Sequence, residues 1–184
     1  MTSKILKLVF VTLALLFGAT IAPRSADAAA VDMFVKLDGV DGESTDDKHR
    51  GWIQAFSVQT GIASPPLNPG SGAGPGKAHF SDLHFAHNVD KASPALAMHA
   101  AGGLHIKSVV LEFRRTSNRE VFYKITLSDV VITSIAVNVT GDSLGEQVGL
   151  AFGRIEWETR EQRPDGTMVP GSKGGWDVSR NAKL

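Results

Sequence analysis

The sequence predicts an all-β chain: a small antiparallel β-barrel of two packed sheets with one short α-helix on its side. Three observations predict it. Apolar and polar residues alternate at period two through most of the chain, clusters of Gly, Asn and Asp separate the alternating runs, and only one segment carries a helix's start and stop signals. The runs succeed one another through turns rather than helices, which reads as a meander and not as a βαβ series.

The first residues stand apart from that pattern. Lys4 and Lys7 form a short positive region, and Leu8 to Ala22 is an apolar stretch of 15 residues interrupted by Thr12, Gly18 and Thr20. Ala26-Asp27-Ala28 then supplies the small-x-small pattern after which signal peptidase cuts. A membrane-spanning helix needs about 20 apolar residues. Residues 1–28 are therefore expected to be a signal peptide cleaved after Ala28, and residues 29–184 one β-barrel domain, exported to the periplasm or the medium. Cleavage removes three basic residues and one acidic residue, so the formal charge moves from 0 to −2.

Along the remaining chain, Val31, Met33, Val35 and Leu37 fall on one face of a strand, with Asp32, Phe34 and Lys36 on the other. Phe56 and Val58 are expected to look inward while Ser57 and Gln59 look outward. Val109, Leu111 and Phe113 repeat the alternation, followed by Val121, Tyr123, Ile125 and Leu127, and then by Val131, Thr133, Ile135, Val137 and Val139. Val148, Leu150 and Phe152 share one phase but Ile155 and Trp157 take the other, which predicts a β-bulge at Gly153-Arg154 of the kind that bends strands at barrel corners. The helix is expected over Pro94–Ala101, with Ser93 capping its free amides, Pro94 in its first turn and Gly102-Gly103 ending it. Ser64–Lys77 holds four prolines and four glycines in 14 residues and reads as a long irregular connection.

The composition narrows the function. With 19 basic and 19 acidic residues and no lysine-rich run, a nucleic-acid partner is not expected, and without cysteine there are neither disulfides nor thiolate metal sites. Gly70 to Lys77 imitates a phosphate loop, but the positions that need a glycine and a Ser or Thr hold Ser71 and Ala78. His79 and His87 would stand about 26 Å apart on an extended strand, too far for one metal ion, and surface histidines are the expectation for His79, His84 and His87. Glu156 and Glu158 share a strand face without a base or cleft and read as solvated charges. Asn138-Val139-Thr140 fits a glycosylation acceptor, taken as a chance match. No nucleophile elbow, metal-binding helix or dinucleotide fingerprint occurs, so no catalytic residue, cofactor or metal ligand is assigned and an enzyme is not expected.

Three blocks carry a resemblance to a known family. Val31-Asp32-Met33-Phe34-Val35-Lys36-Leu37 is followed by Gly42-Glu43-Ser44 and Asp46 to His49. Lys77, Asp82-Leu83-His84-Phe85 and Asp90-Lys91-Ala92-Ser93-Pro94-Ala95-Leu96 fit a D-L-x-F-x-x-x-x-D-K-x-S/T-P-x-L signature, and Gly175-Trp176-Asp177-Val178 closes the set. The blocks run collinearly from Val31 to about Asn181. The chain resembles the haemolysin-coregulated protein family, Hcp. That resemblance implies a small barrel with a side helix, a hexameric ring with a wide channel, and stacked rings forming the tube of type VI secretion. It also implies export of the rings themselves, effectors carried in the channel, a tube-tip protein as a further partner, and no cofactor. In the family the loop after the first strand contacts neighbouring copies. Here that loop is Asp38–Gly51, with Asp41, Gly42, Glu43 and Ser44 as the matching residues and a plain solvated loop as the alternative. Ser57 is assigned to the channel face.

The chain departs from the family in two respects: a leader peptide precedes it, and the loop near Arg50 is shorter than usual. The leader opens two alternatives, a signal-bearing paralogue that no longer serves a tube, and an exported barrel carrying a small apolar ligand in the periplasm. The carrier needs an enclosed apolar cavity of about 300 Å³ or more, whereas 9 Phe, 3 Trp and 1 Tyr supply bulk to fill a small barrel. A secreted hydrolase rests on export alone.

Overall fold

The computed structural model describes residues 30–64 and 77–184. The leader with its cleavage position at Ala28, and nearly all of the Ser64–Lys77 connection with the phosphate-loop imitation, lie outside the described residues. The strands are β1 (Val31–Leu37), β2 (Ile53–Gln59), β3 (Ile62–Ala63), β4 (His79–Phe80), β5 (Leu83–Asn88), β6 (His105–Arg115), β7 (Glu120–Thr140), β8 (Ser143–Gln162), β9 (Met168–Asp177) and β10 (Ala182–Lys183), with helix α1 (Ser93–Gly102) between β5 and β6.

Hydrogen bonding runs in the order β8-β5-β2-β1-β6-β7, and β7 returns to β8, which closes a six-stranded antiparallel barrel. β9 and then β10 extend the sheet outward from β8, and β3 pairs with β4 as a separate ribbon. Closure leaves no free edge within the six-stranded cylinder itself. The inward positions meet as cross-strand pairs: Leu37 faces Val109, Val35 faces Leu111, and those two face Leu127 and Ile125 of β7. Across the barrel Leu83 faces Leu150 and Phe85 faces Val148. All of these side chains are buried, and with Ile53, Ile106, Val130 and Ile155 they fill the cylinder. Burying one such side chain stabilises the fold by about 1.5–3 kcal/mol. These core side chains occupy the space that a ligand carried inside the barrel would need.

Several expected phases are corrected. β7 is one strand of 21 residues, not two. Its buried residues pass from Ile125 and Leu127 to Val130 and Ile132, so Val131 and Thr133 do not point into the core. The cause is Asp129, which adopts the left-handed conformation (φ 55°) opposite Gly153 on β8. The Ser128–Arg154 and Val130–Phe152 pairings keep one register across this place, so the predicted bulge at Gly153 is absent, and the register shifts instead between Ile132 and Ser134. The phase switch on β8 is real, and β8 changes neighbours at this place: residues 145–150 pair with β5 and residues 154–162 with β9. A Cβ on Gly153 would stand 3.1 Å from the Asp129 Cβ, which fits glycine at the crossing. Phe56 is exposed rather than inward, because the register shifts between Ala55 and Ser57 and places Phe56 on the outside.

α1 packs against β7 and places Leu96 in the core. It starts one residue earlier and ends one later than expected. Ser93 does not cap it: its hydroxyl accepts the Asp90 amide (3.1 Å), while Asp90 Oδ1 accepts the amide of Ala92 (2.8 Å). Gly103 ends the helix in the left-handed conformation, as the Gly-Gly pair predicts.

Candidate functional site

The segment between β1 and β2 is not a freely solvated loop. It folds on itself, the Gly42 amide bonding to the Gly51 carbonyl and the Ser44 amide to the Trp52 carbonyl, both at 2.9 Å. A Cβ on Gly42 would fall on the Trp52 carbonyl, so the Gly of the Gly42-Glu43-Ser44 block is required by that close approach. Asp41 is exposed and held by Lys36 at 2.5 Å, and that ammonium draws the Asp41 carboxyl below its ordinary value. Glu43 is tied to the approach to α1: its amide donates to Asp90 Oδ2 (3.2 Å), and its Oε1 accepts the Lys91 amide (2.9 Å). The D-K-x-S-P motif is thus a buckle between loop and helix.

Below the loop lies a cluster that alternation alone does not reveal. Phe34, on the outward phase of β1, is buried beneath it. The imidazole of His49 stacks on the Phe34 ring (4.0 Å between centroids, planes 5° apart), with Trp52 edge-on to it. Nδ1 of His49 is 2.9 Å from Asp46 Oδ1 and Nε2 is 2.9 Å from Glu112 Oε2 on β6. Arg114 of β6 donates from Nη1 to Asp46 Oδ2 (2.6 Å) and from Nη2 to Asp32 Oδ2 (2.7 Å), with its guanidinium 4.9 Å above the Phe34 ring. Arg119 adds a further contact to Asp46 at 2.7 Å. Burial acts to raise the Asp46 carboxyl, but the bonds from Arg114, His49, Arg119 and the Lys48 amide outweigh it and hold it well below the usual carboxylate range. The sequence signal for this cluster is an aromatic in a polar phase next to a D-x-x-H spacing.

Ser57 is exposed, as expected, but apart from the loop residues Asp41–Ser44. It lines a concavity of about 570 Å³ with Phe56, Asn138, Glu146 and Gln147. Behind that surface His87 is fully buried, which corrects its assignment to the surface, and its Nε2 is 2.9 Å from the buried Glu146 Oε1. His79 is exposed and His84 half-buried. Glu156 and Glu158 are not free charges: Lys173 reaches the first at 2.8 Å and Lys124 the second at 3.5 Å. Asn138 is flanked by exposed Val137 and Val139, not by buried neighbours.

The sequence profile of the family described as "Type VI secretion system effector, Hcp" matches residues 34–159. The chain belongs to the Hcp family. It is 33% identical to the protein hcp1 of Pseudomonas aeruginosa over 160 residues, which cover 84% of this chain and 99% of that one. Among solved structures, Hcp1 from Salmonella typhimurium is similar at 31% identity and a TM-score of 0.69, over 84% of this chain and 99% of that one. A structure titled as a type six secretion system protein matches at 30% identity and a TM-score of 0.77, over 84% of this chain and all of the other. A type VI secretion system effector from Yersinia pestis is 28% identical with a TM-score of 0.65, over 79% of this chain and 99% of that one. The Hcp match spans the closed barrel, the folded loop and α1 together.

Proposed function

We propose that this Hcp chain is a ring-forming structural subunit of a type VI secretion tube, exported itself and carrying secreted effectors in its channel. The observation that best supports self-assembly is an unfinished sheet edge. Among the described residues, β6 pairs with β7 only as far as Val131, so residues 132–140 of β7 are paired on one side alone, to β8. Val137 and Val139 on that segment are 60% and 72% exposed, and Leu144 across the turn is also exposed. A free edge with apolar side chains favours strand addition by another chain. A closed ring needs two different patches per copy; among the described residues β9 supplies a second free edge, since β10 pairs only with Asp177 and Trp176. Asp41, Gly42, Glu43 and Ser44 are proposed to contact neighbouring copies, and Ser57 with its concavity to face the channel.

Residues 1–28 are proposed as a leader cleaved after Ala28, and residues 29–184 as the barrel domain. Native mass spectrometry of that domain and of a Val137→Lys/Val139→Lys variant tests the ring. A hexamer in the parent, lost in the variant, is expected; a parent that stays monomeric at high concentration overturns the proposal. Fractionating cells with and without a working secretion apparatus tests export. Appearance in the medium only with the apparatus supports a tube role, and apparatus-independent export points to the signal-bearing paralogue.

A further inference from the structure

The concavity beside Ser57 is built on the outward face of β8 and its two neighbours. Gly145 of β8 pairs with Asn88 of β5 on one side and with Asn138 of β7 on the other. Two residues along, Gln147 stands between Ala86 and Ala136. The amide-bearing residues thus surround a floor of glycine and alanine. Their backbone positions lie about 10 Å apart across the strands and about 7 Å along β8. Phe56 completes the wall. The register shift between Ala55 and Ser57 turns its ring outward, as bulges re-aim side chains beside functional sites. The ring lies over Gly145, where an added Cβ would stand 3.5 Å from its tip, and the residue is still 57% exposed.

This lining selects its occupant by elimination. Among the described residues Glu146 is the one ionisable member of the lining, and it is buried with its carboxylate 2.9 Å from His87. An ion would be desolvated here without a counter-charge. A purely apolar ligand would leave the amides unpaired. An added strand finds no backbone to bond, since Gly145 and Gln147 lie on a strand already paired on both sides. What remains is a ligand with one apolar face for the aromatic ring and with hydroxyls that donate and accept, as the side-chain amides also do.

We propose that the concavity binds a neutral carbohydrate, one sugar stacked on Phe56 and its hydroxyls bonded by Asn88, Asn138 and Gln147. Its volume of about 570 Å³ lies within the usual range of small-molecule sites, about 300–1,000 Å³. Every lining residue belongs to a single chain, so the site goes beyond the ring reading without resting on it.

Saturation-transfer NMR tests the site on the purified chain, whether single or assembled. The probes are cellotriose, chitotriose, maltotriose and mannotriose, all uncharged. Binding with a Kd of about 1 mM or tighter is expected for at least one of them, with the C–H protons of one sugar face saturated most. The affinity should be the same at about 50 and about 500 mM salt, because no charge takes part. Phe56→Ala should weaken binding about tenfold and Phe56→Tyr should keep it, while Gln147→Leu should weaken it about as much as Phe56→Ala. Both positions are exposed, so the variants are expected to keep the parent's circular dichroism spectrum. No transfer to any of these sugars, or binding that Phe56→Ala leaves intact, overturns the proposal. An uncharged serine- and glutamine-rich peptide that binds where the sugars do not would assign the concavity to a protein partner and overturn it as well. Native mass spectra of the same samples report the oligomeric state, so failure of the sugar site and failure of the ring are distinguishable.

Discussion

Replacing Arg114 with methionine removes the bolt that joins β1, β6 and the folded loop. Its side chain is 7% exposed and makes three charge-assisted bonds, at 2.6, 2.7 and 3.1 Å, to Asp46 and Asp32. Breaking a buried ion pair from one side costs about 3–5 kcal/mol, since the other charge is left unmatched. Here Asp32 is 23% exposed and recovers water, and Asp46 keeps Arg119 and His49, which places the loss near the lower bound, about 3 kcal/mol. For a domain of this size that lowers the Tm by about 6–12 °C. Urea titration followed by circular dichroism measures the difference. Arg114→Lys should recover less than half of it, because a point cation cannot reach both carboxylates as the guanidinium fork does. A loss under about 1 kcal/mol would refute the reasoning, since it would mean that both carboxylates relax into water and the loop does not depend on the bolt.

Leu96→Ala should cost about 3 kcal/mol in the same titration, because Leu96 is fully buried and is α1's anchor in the core. Gly42→Ala should cost roughly 1–3 kcal/mol, since the new Cβ meets the Trp52 carbonyl and the loop must shift; unchanged stability would contradict the close approach. Asp177 is held down to about 2 by the Ser179 hydroxyl, then the Arg180 amide, with burial opposing and Arg154 adding to the effect. A depressed carboxyl stabilises the fold above its unfolded value near pH 4 and loses that contribution as pH falls toward about 2. The denaturation midpoint should therefore drop through that window, and less steeply in Asp177→Asn.

Alternation carried the barrel at Val35 and Leu37 of β1, Val109 and Leu111 of β6 and Ile125 and Leu127 of β7, where period two maps directly onto inside and outside. It failed where the backbone left that period. The left-handed Asp129 moved β7's buried set by one residue, and the shift beside Phe56 turned an expected core aromatic outward. Neither event has a local sequence mark, since Asp is commonplace and no glycine stands at Phe56. Ser93 looked like a helix cap because Ser before Pro usually is one; Asp90, three residues earlier, competes for its hydroxyl. His87 read as a surface residue because its carboxylate partner, Glu146, is 59 positions away and only pairing β5 with β8 brings them together. The family signature showed which loop and helix matter without showing that they touch.

Asp90 offers one oxygen to the amide of Ala92, just before α1, and the other to the amide of Glu43. A single carboxylate thus sets the angle of two elements 47 residues apart. Trimming or grafting the loop on its own would unseat the helix, and a damaged helix start would be felt at the far end of the loop. Anyone re-engineering this scaffold has to exchange the two as one cassette.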